Sequence, residues 1–164
     1  MTKPMFMLTM SMLAVCLVCG RTQAGDPPAV TCGDVLTRAQ LEQVLGASVE
    51  YDAKRKPLCR FKAGKGLANG TIQVFRGDAQ KKYKQMLAGA KKSMTGSGKF
   101  TEPGTTGKKS FEFVGKKYGI DMVQLGFEDT SGRYAVLLNL GAGWAEIEKA
   151  RKLATRADTN LKKR

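Results

Sequence analysis

The sequence predicts an α+β domain, an antiparallel sheet of about five strands covered by about three helices in the order α-β-β-α-β-β-β-α, closed by one disulfide. Three observations predict it. Apolar residues recur at helical spacing in "CGDVLTRAQLEQVLG", "AQKKYKQMLAGAKKSM" and the segment that follows "GAG". Between them lie short runs that alternate with period two. Outside an N-terminal leader, the only cysteines are Cys32 and Cys59.

The leader comes first. Lys3 gives a basic start, and the run from Met5 to Cys19 is apolar apart from Thr9 and Ser11. Thr22 and Ala24 then occupy the −3 and −1 places of a small-residue cleavage site. Residues 1–24 therefore read as a secretory signal peptide, and residues 25–164 as a single domain. The apolar run is 15 residues long, short of the roughly 20 that a membrane-spanning helix needs. A retained anchor is the competing reading. Cys16 and Cys19 form a C-x-x-C, but in the apolar core of a leader they have no strand-to-helix junction to lower a thiol pKa. Val15 and Val18 precede them where lipid attachment wants small residues, which makes lipoprotein anchoring the minor alternative. Export, to the periplasm or beyond, brings Cys32 and Cys59 to an oxidising compartment. There a lone pair in a small domain joins.

After the stiff lead-in "GDPPAV", Thr37 caps the first helix and Gln40 completes a capping box. Leu36 staples onto Leu41, while Gly46 supplies the left-handed stop. "LCRFK" and "GTIQVFR" are strands around the turn "AGKGLANG", with Ile72 and Val74 on one face and Thr71, Gln73 and Phe75 on the other. Asp78 caps the second helix, whose Tyr83, Met86, Leu87, Ala90 and Met94 form an apolar side beside five lysines. Residues 95–109 carry four glycines, a proline and little apolar content, and read as a long flexible loop. "SFEFV", "YGIDMVQLGF" and "RYAVLLNL", separated by "GKK" and "EDTSG", read as an antiparallel meander. A last helix follows, with Trp144, Ile147, Ala150, Ala154, Ala157 and Leu161 at helical spacing and a basic end that suits the helix dipole. The helices are expected on one face of the sheet.

"CGDVLTRAQLEQVLG" followed by "LCRF" is similar to a family of small exported bacterial domains of unknown function, many of them lipoproteins. Their pattern is a cysteine, an "L-T-x-x-x" capped helix ending in "LG", then "C-x-F/Y" on a strand. The resemblance covers residues 32–61. It implies a disulfide-stapled α+β fold and an extracytoplasmic address, and brings no catalytic residues.

Charge narrows the function. The chain holds 28 Lys+Arg against 14 Asp+Glu and no histidine. Loss of Lys3 and Arg21 with the leader leaves 26 against 14, or +12. Such a field favours an anionic envelope polymer or an acidic protein face over other partners; nucleic acid is compatible and less favoured. Without histidine there is no Ser-His or Cys-His pair and no imidazole metal site. Ser110 beside Lys108 or Lys109 lacks the context of a nucleophile. "EPGTTGKKS" has the wrong spacing for a phosphate loop, and Glu128-Asp129 lacks the further ligands of a Ca²⁺ site. The sequence calls for no cofactor and no metal. What remains is a surface: Lys108, Lys109, Lys116 and Lys117 flank a strand carrying Phe111 and Phe113, with Tyr118 beyond. Basic groups interleaved with aromatics suit anionic polymers, unless the aromatics point into the core. The expectation is a non-enzymatic exported binding protein; an inhibitor or immunity-type protein, or a ligand sensor domain, are the alternatives.

Overall fold

The computed structural model of the chain describes residues 26–64, 68–94 and 98–164. Residues 1–25, which include the stretch read as a leader and Cys16 and Cys19, lie outside them. Along the chain come α1 (Cys32–Val35), α2 (Arg38–Leu45), β1 (Val49–Tyr51), β2 (Leu58–Ala63), β3 (Asn69–Arg76), α3 (Ala79–Met94), β4 (Gly98–Thr101), β5 (Lys109–Lys117), β6 (Ile120–Glu128), β7 (Tyr134–Gly141) and α4 (Ile147–Lys162). The strands form one antiparallel sheet in the order β1-β2-β3-β7-β6-β5-β4. The α+β class and the Cys32–Cys59 disulfide are as the sequence predicts.

The described residues hold seven strands rather than about five, and four helices rather than about three. The extra strands are short and lie at the two edges. β1 has three residues, and β4 has four, inside the segment that reads as a loop. Only Phe100 of β4 turns inward, so alternation could not announce it. The extra helix is the single turn α1, set off from α2 where Leu36 adopts an extended conformation. Thr37 then caps α2 as expected: its hydroxyl accepts the Gln40 N–H, and Gly46 closes the helix at φ 72°.

Helices cover both faces of the sheet, not one. The register assigns the faces, because directly paired residues point the same way. On the first face Ile72, Val74, Leu125, Phe127, Val136 and Leu138 pack under α1, α2 and α4, where Leu36, Leu41, Leu153 and Leu161 complete the core. On the second face α3 packs over β3, β5, β6 and β7. Tyr83 and Ala90 meet Phe111, with Leu137 and Phe100 beside them. The reason is legible afterwards: Phe111, Phe113 and Leu137 make the second face apolar where β5 and β7 pass beneath α3.

Two glycines make room for rings. Phe61 is paired with Gly70 and Phe111 with Gly126. In each case a Cβ on the glycine would strike the partner's ring, so an aromatic side chain lies flat across a bare backbone. Phe61 goes on to stack against Trp144, with ring centres 6.0 Å apart.

Candidate functional site

The four lysines picked from the sequence stand in two pairs at opposite ends of β5, the flanking places the sequence gives them. β5 runs between β4 and β6, so it is not an edge of the sheet. Lys108 and Lys109 stand at its start, Lys116 and Lys117 at its end, nine residues apart in strand length or roughly 27 Å by strand rise. Each end carries a carboxylate. Lys108 Nζ lies 3.6 Å from the buried Glu128, and Lys116 Nζ 3.7 Å from Asp121. Lys109 is exposed, and the side chain of Lys117 lies outside those described. Phe111 and Phe113 are fully buried, so neither interleaves with the lysines at the surface. Tyr118 does stand out in solvent. The hairpin turn is Tyr118–Gly119, at φ 53° and 78°, not the "GKK" the sequence pointed to.

The structure gathers a different set of cations. A cleft of about 450 Å³ opens at the C-terminal end of β3, lined by Lys56, Arg76 and Lys82, with Asp26 as its one carboxylate. Val30, Pro57, Val74 and Phe75 supply apolar walls. Local structure explains the convergence. Val74 N–H donates to Pro57 O (3.2 Å), which holds the Lys56–Pro57 loop against β3. Arg76 is the last residue of that strand, and its guanidinium reaches Pro27 O at 3.5 Å. α3 then starts from Asp78, whose Oδ1 accepts the Lys81 N–H (2.8 Å), and this aims Lys82 back at the cleft. Among the described residues none of the three cations has a carboxylate within salt-bridge range. Three unneutralised cations against Asp26 leave the cleft electropositive.

α3 extends that field. Between Ala79 and Met94 the helix contains no acidic residue. Its buried stripe is Tyr83 and Ala90, with Met86 and Leu87 half-buried. Lys81, Lys84, Lys91 and Lys92 are exposed on the other sides, over about 16 Å of helix. Lys91 is held by Glu102 at 2.8 Å and lies over the Phe100 ring. Burial beneath the helix pushes the Tyr83 phenol up to about 12, with Glu102 adding to the shift. Nothing in the sequence tied Lys56 and Arg76 to this helix.

Most of the remaining buried polar groups are committed to the fold, although among the described residues Tyr51 Oη, Thr106 Oγ1 and Glu128 Oε2 are buried without a hydrogen-bond partner. Glu112 is buried on the first face, where Arg151 of α4 grips it twice (3.0 and 2.7 Å) and Thr105 donates a third bond. The Arg151 bonds hold the Glu112 carboxyl below the usual range, against burial, which acts the other way. Asp129 is fully buried and accepts from the N–H groups of Ser131, Arg133 and Tyr134. It pins the β6–β7 turn. Asp34 is held below its ordinary pKa, first by the Thr31 N–H. Ser110 is buried with its Oγ accepting the Thr106 N–H, and strand alternation puts it on the opposite face from Lys109. No three of the His, Cys, Asp and Glu side chains among the described residues cluster as a metal site would require. No helix among those residues is long and apolar enough to cross a membrane. Compared with protein families, curated proteins and solved structures, the chain matches none.

Proposed function

We propose that the chain is an exported, non-enzymatic binding module whose basic surface takes an anionic partner, either an envelope polymer or an acidic protein face. One observation carries the reading: Lys56, Arg76 and Lys82 line a single cleft without ion pairs of their own, and the lysines of α3 continue from it. An isolated anionic group fits a cleft of that size, and a chain of such groups can run on along the helix. Arg76 supplies a planar fork for phosphate, sulfate or carboxylate, and the lysines supply mobile point charges. The compartment rests on the leader and on the Cys32–Cys59 bond, which suits an oxidising environment.

Binding to long-chain polyphosphate, a polyanion without sugar, tests the site. Affinity should fall steeply between 50 and 300 mM salt, as it does wherever cations displace condensed counterions. The triple variant Lys56→Ala, Arg76→Ala, Lys82→Ala should weaken binding at least tenfold and flatten the salt dependence. Lys116→Ala, which removes a lysine already facing Asp121, should change affinity less than twofold. Equal effects of the two variants, or affinity indifferent to salt, would overturn the assignment.

A further inference from the structure

The basic cleft carries more than charge, because its lining sets the cations Lys56, Arg76 and Lys82 against the apolar Val30, Pro57 and Phe75. The sheet builds both parts at one place. β2 begins at Leu58, opposite Gln73, so Val74, Phe75 and Arg76 run on past the end of β2 while still paired with β7. On the vacated side Pro57 O takes the Val74 N–H. Backbone N–H groups alternate in direction along a strand, so the Arg76 N–H points to that same side. It adds a neutral donor beside the Arg76 guanidinium. Val30 and Val74 lie almost wholly covered in the lining, at 7% and 5% exposed. Pro57 is exposed and Phe75 half-buried.

A polyanion matches only half of this lining. Its charged groups meet the cations, but an ionic chain laid on Pro57 and Phe75 gains nothing from their apolar surface. Asp26, the one carboxylate of the lining, also works against a second anionic group in the same space. The volume, about 450 Å³, lies within the roughly 300–1,000 Å³ of small-molecule sites, which join apolar walls to a few placed polar groups. Charge at one side and apolar walls at the other describe a ligand with the same two parts.

We infer that the cleft takes an anionic amphiphile, a single anionic head carrying an apolar chain. The head sits on Lys56, Arg76 and Lys82, and the first carbons of the chain lie on Pro57, Val74 and Phe75. Arg76 meets a sulfate, phosphate or carboxylate head as a planar fork, with its own N–H alongside. The inference rests on the basic-surface reading and narrows it to a ligand class. The lysines of α3 attract any polyanion through their field, whereas the cleft selects by the apolar part. A bilayer lipid and a free amphiphile present the same chemistry to it.

Titration with ethyl, butyl and hexyl sulfate, each kept monomeric and followed by ¹³C-methyl NMR, tests this at constant head charge. Affinity should rise at least tenfold from ethyl to hexyl, since a fully buried methylene is worth about fourfold and an open cleft buries part of the chain. The gain should persist in about 500 mM salt, which screens the head but not the chain. The Val30 and Val74 methyls should shift with hexyl sulfate and stay in place with inorganic sulfate. Those of Val114, 39% exposed on β5, should not move. The triple variant Lys56→Ala, Arg76→Ala, Lys82→Ala should weaken hexyl sulfate binding at least tenfold. Equal affinities for ethyl and hexyl sulfate, or Val114 shifting as strongly as Val74, would overturn the amphiphile while leaving salt-sensitive polyphosphate binding in place. Hexyl sulfate binding unchanged in the triple variant would overturn the cleft itself, and the basic-surface reading with it. Co-sedimentation with phosphatidylcholine–phosphatidylglycerol vesicles, lost in the triple variant, would support the amphiphile as a bilayer lipid. Hexyl sulfate binding without co-sedimentation would support it as a free molecule.

Discussion

Glu112 sits on a strand with 4% of its side chain exposed, gripped by an arginine that keeps 34% of its own in water. Arg151 is itself braced by Glu148 at 2.6 Å, one turn back on α4. Taking the guanidinium away leaves a carboxylate with no counter-charge in the interior. Breaking a fully buried pair costs about 3–5 kcal/mol; the watered side of Arg151 lowers that, so Arg151→Ala should destabilise by about 2 kcal/mol in urea unfolding. Adding Glu112→Gln to that variant should restore part of the loss, since the stranded charge goes. The pH dependence has a definite sign. Because the folded pKa lies below the ordinary 4.5, the pair's stabilisation is fully present above that value and is lost as pH falls through the folded value. Tm of the wild type should therefore drop below about pH 4.5 more steeply than that of the double variant. Parallel curves would show that other carboxylates govern acid unfolding.

At the scale of elements, the disulfide reinforces a junction that two backbone bonds also hold, from Cys32 N–H to Arg55 O and from Gly33 N–H to Ala53 O. Cys32 opens α1, which packs on α4, and Cys59 lies in β2 near the sheet's edge. The closed loop spans 27 residues, and chain entropy alone assigns it about 3.5 kcal/mol. Cys32→Ala with Cys59→Ala should lower unfolding stability by about that amount, with β1, β2 and α1 losing amide-exchange protection before β5, β6 and β7. Uniform loss of protection would mean that the bond stiffens the whole domain rather than its front edge. Much of this layout was legible beforehand. α2 announced itself through Thr37, Gln40 and Gly46, and α3 through Asp78 and its stripe, because capping and period are local. β1 and β4 were not, since three or four residues at an edge carry too little alternation to read. The second helical layer was missed for a related reason. Phe111 and Phe113 show period two, which says that one face is buried but not which one, and Val123, Leu125 and Phe127 claim the opposite face. The cleft was hidden more completely, because Lys56, Arg76 and Lys82 meet only through the Pro57–Val74 hydrogen bond and the start of α3.

For the molecule as a whole, the decisive fact is a charge that pH hardly moves. The sequence carries 28 basic and 14 acidic side chains and no histidine, so nothing with an ordinary pKa between 5 and 8 sits among its side chains. The buried carboxylates among the described residues, Glu112, Glu128 and Asp129, all lie outside the lining of the basic cleft. On the proposed reading, the cleft and α3 act through a field that salt screens. It follows that affinity for polyphosphate, whose internal groups stay ionised, should vary by less than twofold between pH 5.5 and 8 at fixed ionic strength. A tenfold change in salt over the same set of titrations should move it by orders of magnitude. Fluorescence anisotropy with labelled polyphosphate measures both dependences in one plate. A rise in affinity on acidification would move the binding surface away from this cleft, whose cations are lysine and arginine.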